Sequence, residues 1–213
     1  MKLIGRRIYR FPSIDSTNEF AKSLVMKEGQ EADGALVIAD EQTKGKGRLK
    51  RGWVSPKGGV YLSLIFRQKN TEKVPLLSVL SAMPVARAIR RYGLECAVKW
   101  PNDLTVGQKK IGGILGELVT FGGNYFAVIG IGVNSNLDTS EFPKELEESA
   151  TSIKNELSTE VSNAELSERI LEEYESFYYM YRRGEQKKLL EEYKKICIVL
   201  GKHVAVKSMD GTI

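Results

Sequence analysis

Histidine is almost absent from this chain: His203, near its end, is the only one. A histidine-rich metal centre has no ligands here, and a Ser-His-Asp triad is not the expected basis of function. Cysteine is scarce as well. Cys96 and Cys197 stand far apart in apolar surroundings, with no second Cys or His at ligand spacing. They make neither a disulfide framework nor a metal site and read as reduced, buried thiols, so the expected compartment is the cytoplasm and no metal site is expected. No segment approaches the roughly 18 consecutive apolar residues of a membrane span, and Met1 to Arg7 lack the apolar region of a signal peptide. Two nucleotide motifs are missing too. Gly130-Ile131-Gly132 would need a further glycine at the position of Ser135 to complete a dinucleotide fingerprint, and no phosphate-binding P-loop occurs. A nucleotide, if bound, is held by another design.

What remains is an ordinary globular composition, 42% hydrophobic and 28% charged, in 213 residues. That is enough for one domain with a small appendage and for a core that needs no staple. The net charge of +5 admits acidic partners but falls short of the basic stripe of a dedicated DNA binder. The positive charge is concentrated: Lys44 to Arg51 carry five cationic residues and two glycines, and Trp53 follows. Glycine lets backbone N–H groups approach an anion, Arg and Lys neutralise carboxylate or phosphate, and a tryptophan face accepts a ring. By contrast, residues 141–192 are rich in Glu.

The periodicities predict a strand over 3–11, a helix opening at Asp15-Ser16-Thr17-Asn18 and a buried strand over 35–39 that leads to Gln42 and the basic loop. A strand over 59–66 follows, then one helix over 75–92 and a strand over 97–100 ending at Pro101. Hairpins are predicted around Gly107 and around Gly122-Gly123-Asn124, then helices over 161–182 and 185–197, then a strand over 201–207. The fold class is α+β, a mixed central sheet with flanking helices.

Each candidate residue has a plain reading beside a chemical one. Ser16, Thr17 and Asn18 would cap any helix, yet hydroxyls and an amide there can also hold a polar ligand. Gln42 is a loop residue or an amide reader. Arg48 and Arg51 are surface charges or anion contacts, Trp53 is core or a stacking face, and Asn102-Asp103 is a turn after Pro101 or part of a site. Lys110 enters an apolar strand, where it either snorkels to solvent or stands as a point charge for a carboxylate or α-phosphate. Asn134, at the end of an apolar run, is a turn signal or a phosphate or ribose contact.

Ser16-Thr17-Asn18, Gln42 with Gly45-Lys46-Gly47-Arg48 and Trp53, Lys99-Trp100-Pro101-Asn102-Asp103, Lys110-Ile111-Gly112-Gly113-Ile114-Leu115 and Gly130-Ile131-Gly132-Val133-Asn134 occur in this order. In order and spacing the set resembles the biotin protein ligases over roughly residues 8–206. One departure is Lys46, where the family commonly has arginine; charge is kept and the bidentate fork is lost.

The resemblance implies a class II synthetase-like, biotin–lipoate ligase fold, with a catalytic domain over 1–199 and the start of a small SH3-like β domain over 200–213. It implies the ligase alone, without a DNA-binding domain. The implied reaction activates biotin with ATP and Mg²⁺ to biotinyl-5′-AMP, then transfers it to a lysine of a biotin carboxyl carrier domain. Lys110 and Arg48 would be catalytic. Ser16, Thr17, Asn18, Gln42, Gly45, Lys46, Arg48, Lys110 and Gly113 would hold biotin. Arg48, Arg51, Trp53, Asn102, Lys110 and Asn134 would face ATP. The basic loop over 44–53 would be disordered when empty and close over ligand. A homodimer is common in the family. The alternatives are a lipoate or octanoate ligase or transferase of the same fold, a nucleic-acid binder using the basic loop, and a module that merely stores biotin.

Overall fold

The computed structural model describes residues 3–138, 140 and 142–204. Seven strands form one open sheet: β1 (Ile8–Phe11), β2 (Leu36–Ala39), β3 (Val60–Gln68), β4 (Cys96–Lys99), β5 (Asp103–Val106), β6 (Lys109–Phe121) and β7 (Asn124–Val133). Their order across the sheet is β1-β2-β3-β7-β6-β5-β4. Only β1 and β2 run parallel; every other pair is antiparallel. The hairpin turns sit where the sequence places them. The sheet is mixed, with helices on both faces, as expected.

The helices are α1 (Thr17–Glu28), α2 (Val74–Leu80), α3 (Ala82–Arg90), α4 (Lys144–Glu147), α5 (Ile153–Leu157), α6 (Asn163–Arg182) and α7 (Gln186–Ile196). Ser16 caps α1 by accepting from Glu19 N, and Gly29, at φ 57°, ends it. The helices α2, α3, α6 and α7 cover one face of the sheet in a large core, where Phe66 meets Tyr178 at 4.1 Å between ring centroids. α1 covers part of the other face, packing Ala21, Leu24 and Val25 against Val37, Ile65, Phe126 and Val128. Beyond the N-terminus of α1 that second face is uncovered by helix, and the cavity lies there.

Three expectations change. The single helix over 75–92 is two, α2 and α3, meeting at Ser81. Pro84 has no N–H to bond Leu80 O, and Ser81 Oγ bonds back to Leu77 O at 2.7 Å. The strand over 3–11 starts only at Ile8; before it, Leu3 N and Ile4 N are held by the Glu175 carboxylate. Residues 201–204 are not in a strand, and the rest of the one expected over 201–207 lies outside the described residues.

Candidate functional site

The cavity lies over two rows of cross-strand partners, of which Leu115, Gly130, Gly113, Gly132 and Asp103 line it. In the first, Ser63, Gly130 and Leu115 lie side by side on β3, β7 and β6. In the second, Tyr61, Gly132, Gly113 and Asp103 do so on β3, β7, β6 and β5. Glycine is required at the centre of each. A Cβ on Gly130 would stand 2.4 Å from Asn18 Oδ1, and one on Gly132 would stand 2.5 Å from Trp53 Nε1. The Gly-x-Gly of β7 is therefore a seat for an amide and an indole, not a phosphate loop. Positions two apart on a strand are roughly 7 Å apart, so these two side chains lie in succession along β7.

At the first row the polar side chains are bonded to one another. Thr17 N and Thr17 Oγ1 reach Gln42 Oε1 at 2.8 and 3.0 Å. Gln42 Nε2 donates to Ser55 Oγ at 3.0 Å. Ser63 Oγ lies 2.8 Å from Thr17 Oγ1 and 2.6 Å from Asn18 Oδ1, and Asn18 Nδ2 donates to Glu117 Oε2 at 2.8 Å. Thr17 and Asn18 are each only 3% exposed. The amide of Gln42 is thus committed within the protein and fixes the Thr17 hydroxyl.

At the second row the charges gather. Lys110 Nζ forms an ion pair with Asp103 Oδ1 at 2.6 Å and stands 5.2 Å from the centroid of the Trp53 ring. Its Cε passes 3.5 Å from where a Gly113 Cβ would be, so the bare backbone there leaves the lysine its path. Arg48 donates to Asn102 Oδ1 at 3.0 Å, and Asn102 is itself anchored by Nδ2 to Ile114 O at 2.8 Å. Asn102 therefore positions Arg48.

The basic loop is folded over the cavity as a hairpin. Lys46 bridges Gly52, Trp53 N donates to Gly45 O at 2.9 Å, and Gly47 N donates to Arg51 O at 2.8 Å. Leu49 sits at φ 56° at its tip. Two ion pairs tie the loop to α1: Lys44 to Asp15 and Lys46 to Glu19. Lys22 and Lys46 hold the Glu19 carboxyl below its usual range, which keeps it charged.

The cavity has a volume of about 550 Å³ and all the expected site residues except Gly45 line it. Gly45 lies behind the wall, where a Cβ would stand 2.3 Å from Trp53 O, so its bareness closes the hairpin. Asn134 is in the wall, with Nδ2 donating to Thr151 O at 3.0 Å. Sequence reasoning missed the wall beyond Lys110. The chain after β7 returns beside β6, where Lys110 N donates to Ser149 O and Thr151 N to Lys110 O, both at 2.8 Å. This lays Phe142, Leu146 and Ala150 along the cavity. Phe142 and Leu146, four apart in an acidic stretch, were the available signal.

Asp103, already paired with Lys110, is the one acidic residue among the described residues of the wall. No group of three or more metal-ligating side chains occurs among the described residues. No helix among them is long and apolar enough to cross a membrane.

A profile of the biotin/lipoate A/B protein ligase family matches residues 10–134. The chain belongs to this family. Within it, the bifunctional ligase/repressor BirA of Bacillus subtilis (strain 168) is 34% identical over 217 residues, which cover 99% of this chain and 66% of that protein. The chain thus spans just under two thirds of that relative's length. The biotin protein ligase of Aquifex aeolicus, solved in complex with biotin and ATP, superposes with a TM-score of 0.80 at 27% identity, covering 92% of this chain and 80% of that one. A lipoate-protein ligase A bound with ATP shares the fold at a TM-score of 0.60 and 12% identity, over 81% of this chain and 85% of that one. The ligase-family motifs in this chain, scattered over more than a hundred residues, converge on the single cavity described above.

Proposed function

We propose that this chain is a biotin protein ligase: it joins biotin to ATP as biotinyl-5′-AMP and passes the biotinyl group to a lysine of a biotin carboxyl carrier domain. The observation that carries this reading is the cavity itself. It places a polar floor at Thr17, Asn18 and Gln42 directly beside two cations and an indole, in one space of about 550 Å³. The polar floor suits the ureido ring of biotin, which both donates and accepts hydrogen bonds. The relative from Aquifex aeolicus, solved in complex with biotin and ATP, supports the same substrate.

In the first step the carboxylate oxygen of biotin attacks the α-phosphorus of ATP and pyrophosphate leaves. Two anions must approach each other. Lys110 and Arg48 supply positive charge where they meet, and preorganised donors of this kind are worth about 3–4 kcal/mol each. Asp103 and Asn102 hold those cations in place, so little reorganisation is needed as charge develops. Lys46 adds charge at the mouth. Trp53, Arg51 and Asn134 face the nucleotide. Mg²⁺ would come with the phosphates of ATP as part of the substrate and would supply charge neutralisation there, with Asp103 the one carboxylate among the described residues of the wall. In the second step the lysine amine of the carrier attacks the acyl carbon and AMP leaves. The hairpin over 44–53 keeps water from the mixed anhydride between the two steps.

Biotin-dependent exchange of pyrophosphate into ATP tests the reading. Exchange that requires biotin supports it. Exchange driven by lipoate or octanoate instead would reassign the substrate within the family. Biotin binding without any exchange would leave only a storage module.

A further inference from the structure

Glu117 stands outside the cavity wall, two residues past Leu115, the last residue of β6 to line it. Its carboxylate is shared between two elements. Oε1 pairs with Lys22 of α1 at 2.8 Å, and Oε2 accepts from Asn18 Nδ2 at 2.8 Å. The consequence runs through donors and acceptors. A carboxylate only accepts, so the NH₂ of the Asn18 amide must face Glu117. Leu115 O, 3.4 Å away, favours the same orientation. Asn18 Oδ1 then faces Ser63 Oγ at 2.6 Å and requires its single proton. With that proton used, Ser63 has none to give Thr17 across their 2.8 Å contact, and the single Thr17 proton goes inward, to Gln42 Oε1 at 3.0 Å or to Ser63 itself. Thr17 Oγ1 is left with lone pairs alone toward the cavity.

We propose that Glu117 is a positioning residue that sets the hydrogen-bond polarity of the cavity floor. Acting through Asn18 and Ser63, it keeps Ser63 from donating to Thr17, and so leaves Thr17 its full acceptor capacity for a ligand that presents N–H groups there. This rests on the reading of biotin as substrate and deepens it. The ureido ring has N–H groups to offer, whereas a dithiolane or an alkyl chain has none.

Glu117→Gln should reverse the relay. Lys22 can only donate, so it takes the oxygen of the new amide and turns its NH₂ toward Asn18. Asn18 then flips, with only the longer contact to Leu115 O opposing. Ser63 receives a proton from Asn18, donates its own to Thr17, and Thr17 loses acceptor capacity. Lys22→Met breaks the ion pair but leaves an acceptor facing Asn18, so the polarity stands.

The test is calorimetric titration of the whole chain with biotin and with its two mono-N-methyl derivatives, for the wild type, E117Q and K22M. E117Q is expected to weaken biotin about threefold to tenfold, the factor that corresponds to one neutral hydrogen bond. The penalty for methylating a ureido nitrogen should shrink in E117Q, because the N–H it removes has lost its acceptor. K22M should weaken biotin far less than E117Q. The proposal is overturned if E117Q binds biotin as the wild type does. It is equally overturned if E117Q weakens biotin and both methylated forms by one common factor, or if K22M matches its loss. A wild type that binds no biotin would remove the proposed function as well, which separates the two failures.

Discussion

Lys110 is held between a carboxylate and an aromatic face, and this explains how a lysine at the start of a largely apolar run keeps a defined direction. Arg48, on the hairpin over 44–53, is fixed by Asn102, whose own amide is bonded to β6. Replacing either cation by alanine should lower biotin-dependent pyrophosphate exchange more than tenfold, within the factor expected for removal of one preorganised donor, while the circular dichroism spectrum stays that of the wild type. Asn102→Ala should cost less than Arg48→Ala, since the cation survives and only its placement is lost. The glycines of β7 give a sharper steric expectation. A methyl at Gly130 meets Asn18 Oδ1 at 2.4 Å, so Gly130→Ala must displace the amide. It should raise the KM for biotin more than that for ATP. Gly132→Ala, which crowds Trp53 instead, should do the reverse.

Among the elements, the contact of α2 with β6 depends on one missing side chain. A Cβ on Gly116 would stand 2.3 Å from Ser78 Oγ and 2.4 Å from Ser78 Cβ. Gly116→Ala should therefore destabilise the protein by about 1–3 kcal/mol, as overpacking does. A denaturant midpoint measures this, and the double variant with Ser78→Gly should recover most of the loss. The element boundaries that sequence reading missed have local causes. Pro84 and Ser81 divide the helix over 75–92, and both residues are visible in the sequence, but the apolar spacing continues through them and hides the break. The short helices α4 and α5 lack enough length for periodicity to speak. The first turn of α1 was the easier case, opened by Ser16, whose side chain accepts from the backbone N–H three residues on; Ser152 and Ser162 do the same for α5 and α6.

For the whole molecule, burial of weak acids determines the behaviour in alkali. The Cys96 thiol is pushed from 9.0 up to about 12 by burial, and Tyr181 from 10.0 up to about 12 for the same reason. Burial raises Tyr174 and Tyr178 as well. Each of these groups holds its proton longer when folded than when unfolded. The unfolded chain thus binds fewer protons above pH 9, and stability falls as pH rises through that range. A urea midpoint followed from about pH 8 to about pH 11 should be level at first and then decline. A midpoint that rose in alkali would contradict the burial of these groups. Cys96 should likewise resist thiol reagents near neutral pH in the native protein and react once it is unfolded.

The sequence by itself determined the fold class, the strands and most helices, because alternation, caps and turn residues act over a few neighbouring positions. It also marked Lys110, Arg48, Trp53 and the Ser16–Asn18 cap, since their residue types are costly or unusual where they stand. Only the tertiary structure decided what each of them does. It turned the Gly-x-Gly of β7 into a seat for Asn18 and Trp53, put Gly45 behind the wall, gave Asn102 to Arg48 and Asp103 to Lys110, and brought residues 142–150 against the cavity. These are pairings between segments distant along the chain. They are set by sheet register and by the order of strands across the sheet, which no local pattern encodes.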